Sequence, residues 1–289
     1  MASPWTDRRV IAFAHQGGSF ERPSSTLVAI EQAIANGATA VELDVHATLD
    51  RHIVVCHDET VDRTTNHRGA IASLTLNELR DMDNAYWWIA GEAVSPGRAD
   101  EEYLLRAKAP ADHAYGVATL EEVCQRIPGV LLNLDIKRTA PDVEPYEELL
   151  AHELRRLGRT SSVIVASFHD GAIQSFRQLA PEVATSAATG ETTAFFFSLD
   201  SGDLKVPPAC ALQVPARFGD ITVVDERFVE AAHRADVAVH VWTVNDVSEM
   251  ERLLDLGIDG IISDTPTPLA QLLTIRGCAW DGVLEQGRP

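Results

Sequence analysis

The chain has no apolar run near the roughly 20 residues that a membrane-spanning helix needs, and its opening stretch, Met1 to Arg9, is short and polar. Neither a membrane span nor a secretory leader is expected, which points to a cytoplasmic protein. Positive charge is scarce. Lys and Arg number 24 against 43 Asp and Glu, a formal net charge of −19. So acidic a surface disfavours nucleic acid and stable association with an anionic membrane. An anionic small molecule would need a local positive centre to bind at all. Cysteine is sparse too: Cys56, Cys124, Cys210 and Cys278 are scattered with no Cys-x-x-Cys pair. They read as buried free thiols, which excludes a zinc cage and a disulfide frame. No glycine-rich dinucleotide fingerprint follows any strand candidate, and Gly17-Gly18 alone does not make one.

What is present suits one large domain. The 289 residues are 45% hydrophobic, and α/β barrels often reach this length as a single unit. Strand candidates lie at 10–14, around Glu42 and Asp44, and at 53–56, 130–136, 163–166, 183–187, 209–214, 237–242 and 260–262. Helical stretches separate most of them, the pattern of a parallel sheet with helical crossovers. The expected fold is a (β/α)8 barrel. Nine candidates are one too many, and 209–214 is the weakest of them. Residues 83–116 break the rhythm with charge, Gly and Pro, and are expected to form an insertion after the third strand, anchored by Tyr86, Trp87 and Trp88. The tail from 277 to 289 is expected to be peripheral.

The informative stretch runs from Val41 to Val45. On a strand, alternate side chains face opposite ways, so Glu42 and Asp44 share one face while Val41, Leu43 and Val45 share the other. Two carboxylates two residues apart lie roughly 6.5–7 Å apart along a strand, close enough to reach one divalent cation. Without a cation, like charges on a half-buried face repel and one takes up a proton. An ordinary half-exposed strand shows the same alternation, so the surroundings must decide. His46 shares that face and is expected to support the site without being a ligand.

The surroundings favour convergence. His15, Glu42 with Asp44, His57, Asp135 with Lys137, Ser167, Trp242 and Asp264 all fall at or just past the C-terminal ends of strand candidates. In a closed barrel those ends form one rim, where active sites lie. The set suits phosphoryl chemistry. Carboxylates suit a hard cation such as Mg²⁺ or Ca²⁺. The cation and Lys137 would neutralise a phosphodiester, and two histidines could remove one proton and supply another.

These residues, taken in order, resemble the glycerophosphodiester phosphodiesterase family. Its His-Arg-Gly opening stands here as His15-Gln16-Gly17, and its Glu-x-Asp as Glu42-Leu43-Asp44. Its His-Asp with a following Arg-Thr-Thr stands as His57-Asp58 and Arg63-Thr64-Thr65, and its Glu-x-Lys as Asp135-Ile136-Lys137. Trp242-Thr243-Val244-Asn245 and the Asp259 to Asp264 motif are intact. The resemblance spans roughly residues 10 to 275. It implies a barrel that hydrolyses glycerophosphodiesters to glycerol phosphate and an alcohol. It further implies one divalent cation, Mg²⁺ or Ca²⁺, on Glu42, Asp44 and Asp135, with His15 and His57 as general acid and base. Gln16, Lys137 and Trp242 would contact the substrate.

Three positions depart from the family pattern. Gln16 replaces an arginine, Ser24 replaces a glutamate, and Asp135 replaces a glutamate with a shorter arm. The lost arginine and lost glutamate carry opposite charges. If they pair in relatives, the double change removes a whole ion pair. The departures keep two other readings open: a barrel that binds a phosphodiester or phosphosugar without turnover, and a phospholipase D-like activity on lysolipids admitted through residues 83–116.

Overall fold

The computed structural model describes residues 4–137 and 146–280. Eight strands run parallel: β1 (Ile11–His15), β2 (Ala40–Ala47), β3 (Leu131–Ile136), β4 (Val163–Ala166), β5 (Ala184–Thr185), β6 (Ala211–Pro215), β7 (Ala238–Trp242) and β8 (Gly260–Ser263). Each pairs in parallel with its neighbour in sequence except at one seam, and β8 pairs with β1. The seam between β5 and β6 is held by a parallel bridge from Ser186 to Ala211 and by the bonds Ala187 N–H to Ala211 O (2.8 Å) and Cys210 N–H to Thr185 O (3.0 Å). The result is a nearly closed (β/α)8 barrel. Its helices are α1 (Leu27–Ala35), α2 (Leu120–Arg126), α3 (Tyr146–Arg156), α4 (Asp170–Leu179), α5 (Thr189–Ser198), α6 (Glu226–Arg234), α7 (Val247–Asp255) and α8 (Pro266–Arg276).

The surplus strand is Ile53–Val55, not 209–214. It pairs antiparallel with the far end of β2, Val45 opposite Val55, and stays outside the ring. Composition does not separate the two cases, because Ile53-Val54-Val55 is as β-prone as any barrel strand. The difference is strand length. β2 has eight residues and overshoots its pairing with β1, which ends at His15 opposite Glu42. The overshoot offers an edge for a returning strand.

Alternation divides the core as expected. Val41, Leu43 and Val45 pack outward with Leu132, Leu134 and Ile136 beneath the helices. Ile11, Phe13, Ala40, Leu131, Ile164, Ala211, Ala238 and Ile262 fill the lower barrel, closed by Trp5 and Trp280. Above them the inward residues turn polar. Asn133 donates to Gln213 (3.2 Å), and the Gln213 amide lies 3.3 Å from Nδ1 of His240. Burial pushes the His240 imidazole down to about 4, so it sits neutral against Phe13. Gly260 makes room for it: a Cβ there would come within 2.8 Å of both rings.

Thr26 and Thr119 cap α1 and α2, and Thr75 caps a short helix outside the barrel's eight, Leu76–Arg80, each through its side-chain oxygen, satisfying backbone donors left open there. Residues 83–116 fold over the outside of the rim. Trp87 and Trp88 donate to the carbonyls of Thr65 (2.9 Å) and Ser19 (2.8 Å), and the Arg106 guanidinium lies over the rings of Tyr86, Trp87 and Tyr103. The aromatics therefore anchor this segment. From residue 277 the chain is packed as far as Trp280, whose N–H donates to Val10 O at 2.9 Å. Residues 281–289 lie outside those described.

Candidate active site

His15 ends β1, and the next turn is tight. Gln16, Gly17 and Gly18 all have positive φ, 52°, 82° and 90°. A Cβ on Gly18 would meet Pro266 at 2.8 Å, so the loop can lie against the start of α8 only with glycine there. That proximity brings Asp264 beside His15, with Nδ1 of His15 2.6 Å from Oδ1 of Asp264. Asp264 also accepts from Ser19 (2.6 Å) and Asn245 (2.8 Å). A carboxylate on Nδ1 fixes the tautomer and leaves Nε2 for chemistry. Burial alone would lower the His15 pKa. The bond to Asp264 and the charges of Glu42, Asp264 and Asp44 outweigh it and raise it to about 9.

His57 reaches the rim by another route. The strand Ile53–Val55 runs back from the overshoot of β2, and Cys56 N–H donates to Asp44 O at 3.1 Å. His57 therefore follows at the level of Asp44. His46 lies 3.4 Å from the His57 carbonyl, which places it as a support for that backbone. Nδ1 of His57 is 2.6 Å from Oδ1 of Asp58, and Arg63 grips Asp58 with two bonds, 2.6 and 3.0 Å. The bond from His57, then the Arg63 guanidinium, hold the Asp58 carboxyl well below the usual range. Both histidines thus share one feature, a carboxylate on Nδ1; at His15 a second carboxylate, Glu42, also lies 3.7 Å from Nε2.

The acid cluster follows from register. Asp44 lies opposite Asp135 across β2 and β3, and His15 lies opposite Glu42 across β1 and β2. The Lys137 ammonium bridges Asp44 (2.8 Å) and Asp135 (2.7 Å). Burial would lower its pKa, but the two carboxylates raise it well above the lysine range. Glu42 does not touch the ammonium; its Oε2 accepts from the Gln16 N–H (3.3 Å) and lies 3.7 Å from Nε2 of His15. Burial and the nearby Asp44 push its carboxyl up to about 8.

The donors fit a hard cation in type and charge. Oδ2 of Asp44 and Oδ1 of Asp135 are buried without a hydrogen-bond partner. Among the described residues, however, no three His, Cys, Asp or Glu side chains are grouped to hold a metal. Of the three carboxylates expected from sequence, Asp44 and Asp135 are brought together around Lys137 and Glu42 faces His15, so they do not form a preformed cage.

His15, Glu42, Asp44, His57, Asp135, Lys137 and Trp242 line one cavity of about 670 Å³ at the C-terminal mouth of the barrel. Gln16 does not line it. It is 6% exposed, its Oε1 accepts from Ser24 (2.6 Å), and its Nε2 faces Nε2 of His15 at 3.3 Å. Gln16 thus sits beside Nε2 of His15, held there by Ser24, although it is not part of the cavity lining. Residues 83–116 do not line the cavity either.

Gln16 and Ser24, the two positions whose charges are absent here, touch each other. Gln16→Arg alone would bury a cation against the His15 imidazole, and Ser24→Glu alone an anion facing a neutral amide; each is expected to destabilise. Together they should couple favourably by about 1–3 kcal/mol, read from a double-mutant cycle in urea. Additive effects would show that the two sites do not form a pair.

Asp58, Asp264, Asn245 and Arg63 were not anticipated as histidine supports. The adjacency of His57 and Asp58 carried a local signal; the 249-residue separation of His15 from Asp264 carried none.

A family model described as the glycerophosphoryl diester phosphodiesterase family matches residues 15–267. A glycerophosphodiester phosphodiesterase of Caldanaerobacter subterraneus subsp. tengcongensis is 29% identical over 273 residues, covering 93% of this chain and 100% of that relative. A solved glycerophosphoryl diester phosphodiesterase domain from Mycobacterium tuberculosis superposes with a TM-score of 0.76 at 18% identity, covering 91% of this chain and 99% of that one, a likeness of fold. An Oleispira antarctica phosphodiesterase, solved with the product sn-glycerol-3-phosphate, gives a TM-score of 0.68 at 25% identity, covering 95% of this chain and 100% of that one.

Proposed function

This chain belongs to the glycerophosphoryl diester phosphodiesterase family, and from that premise we propose that it hydrolyses a glycerophosphodiester to glycerol phosphate and an alcohol, with a divalent cation and a pair of histidines. The observation that carries the reading is the pairing itself. His15 and His57 line one cavity, and each has its Nδ1 fixed by a carboxylate, Asp264 or Asp58. One imidazole takes a proton from the attacking water as the new P–O bond forms. The other gives a proton to the alcohol oxygen as the old P–O bond breaks.

Lys137 supplies positive charge to a phosphate that the protein's net charge of −19 would otherwise repel. Glu42, Asp44 and Asp135 would hold Mg²⁺ or Ca²⁺, and the two orphan carboxylate oxygens support that assignment. The cation would supply further charge neutralisation at the phosphoryl group. Trp242, edge-on to Phe168 with ring centroids 5.6 Å apart, offers a wall for the glycerol carbons.

Among the described residues no helix is long and apolar enough to cross a membrane, and four free cysteines agree with a reducing compartment, for which we propose the cytoplasm. The test is release of glycerol phosphate from glycerophosphoethanolamine, with and without EDTA. Release that EDTA abolishes and Mg²⁺ or Ca²⁺ restores is the expected outcome. Undiminished release in EDTA would remove the cation from the reading, and binding without release over a broad panel of diesters would remove the hydrolysis.

A further inference from the structure

Resting on the proposed hydrolysis, we infer that the substrate carries a hydrocarbon chain, held in an apolar extension of the catalytic cavity walled by α5 and a short hairpin. A glycerol phosphate product has ten non-hydrogen atoms. At roughly 30 Å³ each, the share of a water in liquid, it fills on the order of 300 Å³. The cavity of about 670 Å³ has room for a second compartment.

That compartment is apolar and built from two elements. Phe196 and Phe197 come from α5, and Phe218 and Ile221 from the hairpin of Arg217–Phe218 and Ile221–Thr222. Phe168 and Trp242 join it to the site, where the Phe168 ring lies 5.7 Å from the Lys137 ammonium.

Exposure carries the inference furthest. Among the described residues three phenylalanines are exposed, Phe168 (55%), Phe197 (76%) and Phe218 (72%), and all three line this cavity, as does the half-exposed Ile221. Exposed rings scattered at random would need no explanation; gathered at the mouth of a catalytic cleft they mark a binding surface. A sugar or choline head group would leave most of this wall wet, whereas an alkyl or acyl chain would cover it. The surface is continuous with the reaction site, and the acidic protein has little attraction for an anionic bilayer. The occupant is therefore a chain on the substrate itself.

Two substrate designs share this chemistry: a lysophospholipid, with its chain on the glycerol, and a glycerophosphodiester whose alcohol is the chain. The experiment uses both, as two series of monomeric phosphodiesters with chains from two to eight carbons below their micelle concentrations. In one of the series, kcat/KM is expected to rise by up to about fourfold per added methylene, which identifies where the chain sits. The rise should flatten in the variant Phe197→Ser/Phe218→Ser, with its thermal midpoint unchanged. A flat or falling profile in both series, with short diesters turned over, overturns the chain but not the hydrolysis. If nothing is turned over, binding of alkyl phosphates of the same lengths, followed by calorimetry, decides the matter: affinity rising with length supports the compartment, and flat affinity overturns it.

Discussion

His57→Ala is expected to lower kcat by about a hundred- to ten-thousand-fold with little change in KM, and His15→Ala to do the same. Each imidazole is proposed to move a proton in the transition state, and removal of such a group costs that much. Binding of the ground state depends instead on charge and the apolar wall, so the loss falls on kcat. Folding should survive, because the His57 side chain is 40% exposed and makes its bond to Asp58 at the rim. Asp58→Asn should fall between the wild type and His57→Ala, since it leaves the imidazole but loosens its orientation. The measurement is steady-state release of glycerol phosphate, with circular dichroism to check the fold. A histidine variant that keeps a tenth of wild-type kcat would mean the proton moves elsewhere.

Lys137→Met is the second large effect, and it is expected in stability as well as rate. The ammonium is held between two carboxylates that register places face to face, Asp44 at 2% and Asp135 at 7% exposure. Removing it leaves two buried anions without their shared cation. Breaking a buried ion pair from one side costs about 3–5 kcal/mol, which for a domain of this size lowers the melting midpoint by on the order of 10 °C. Turnover should fall by about a hundred- to a thousandfold, the effect of losing one preorganised positive group at a developing charge. Calorimetry in EDTA and then in saturating Mg²⁺ or Ca²⁺ separates the contributions. If the carboxylates bind a divalent cation, it offsets part of the lost stability. A midpoint unaffected by either ion in the variant would argue that Glu42, Asp44 and Asp135 are not ligands.

Three features of the cleft escaped the sequence for separable reasons. The length of β2 decided that Ile53–Val55 would pair with its overshooting end and carry His57 back to the rim, and a strand's partner is not written in its own residues. The left-handed backbone at Gln16 set its amide beside Nε2 of His15 and against Ser24, just outside the cavity lining, although the residue sits in the opening motif. The run of three phenylalanines at 195–197 has no period that separates helix from strand; it is part of α5, with Phe197 at the cleft. Its low amphipathicity gave no sign of which face would meet water.

By itself the sequence determined the alternation of β and α, the inward face of Glu42 and Asp44, and the gathering of polar residues at strand ends. These are local facts, because side-chain direction follows from a period of two and strand ends follow from apolar runs. Tertiary structure alone decided which strands close the ring, that Asp264 clamps His15 from 249 residues away, and that α5 and the hairpin at 217–222 line the same cavity. Those contacts join distant segments whose residues hold no record of one another, and only packing around a common barrel brings them within bonding distance.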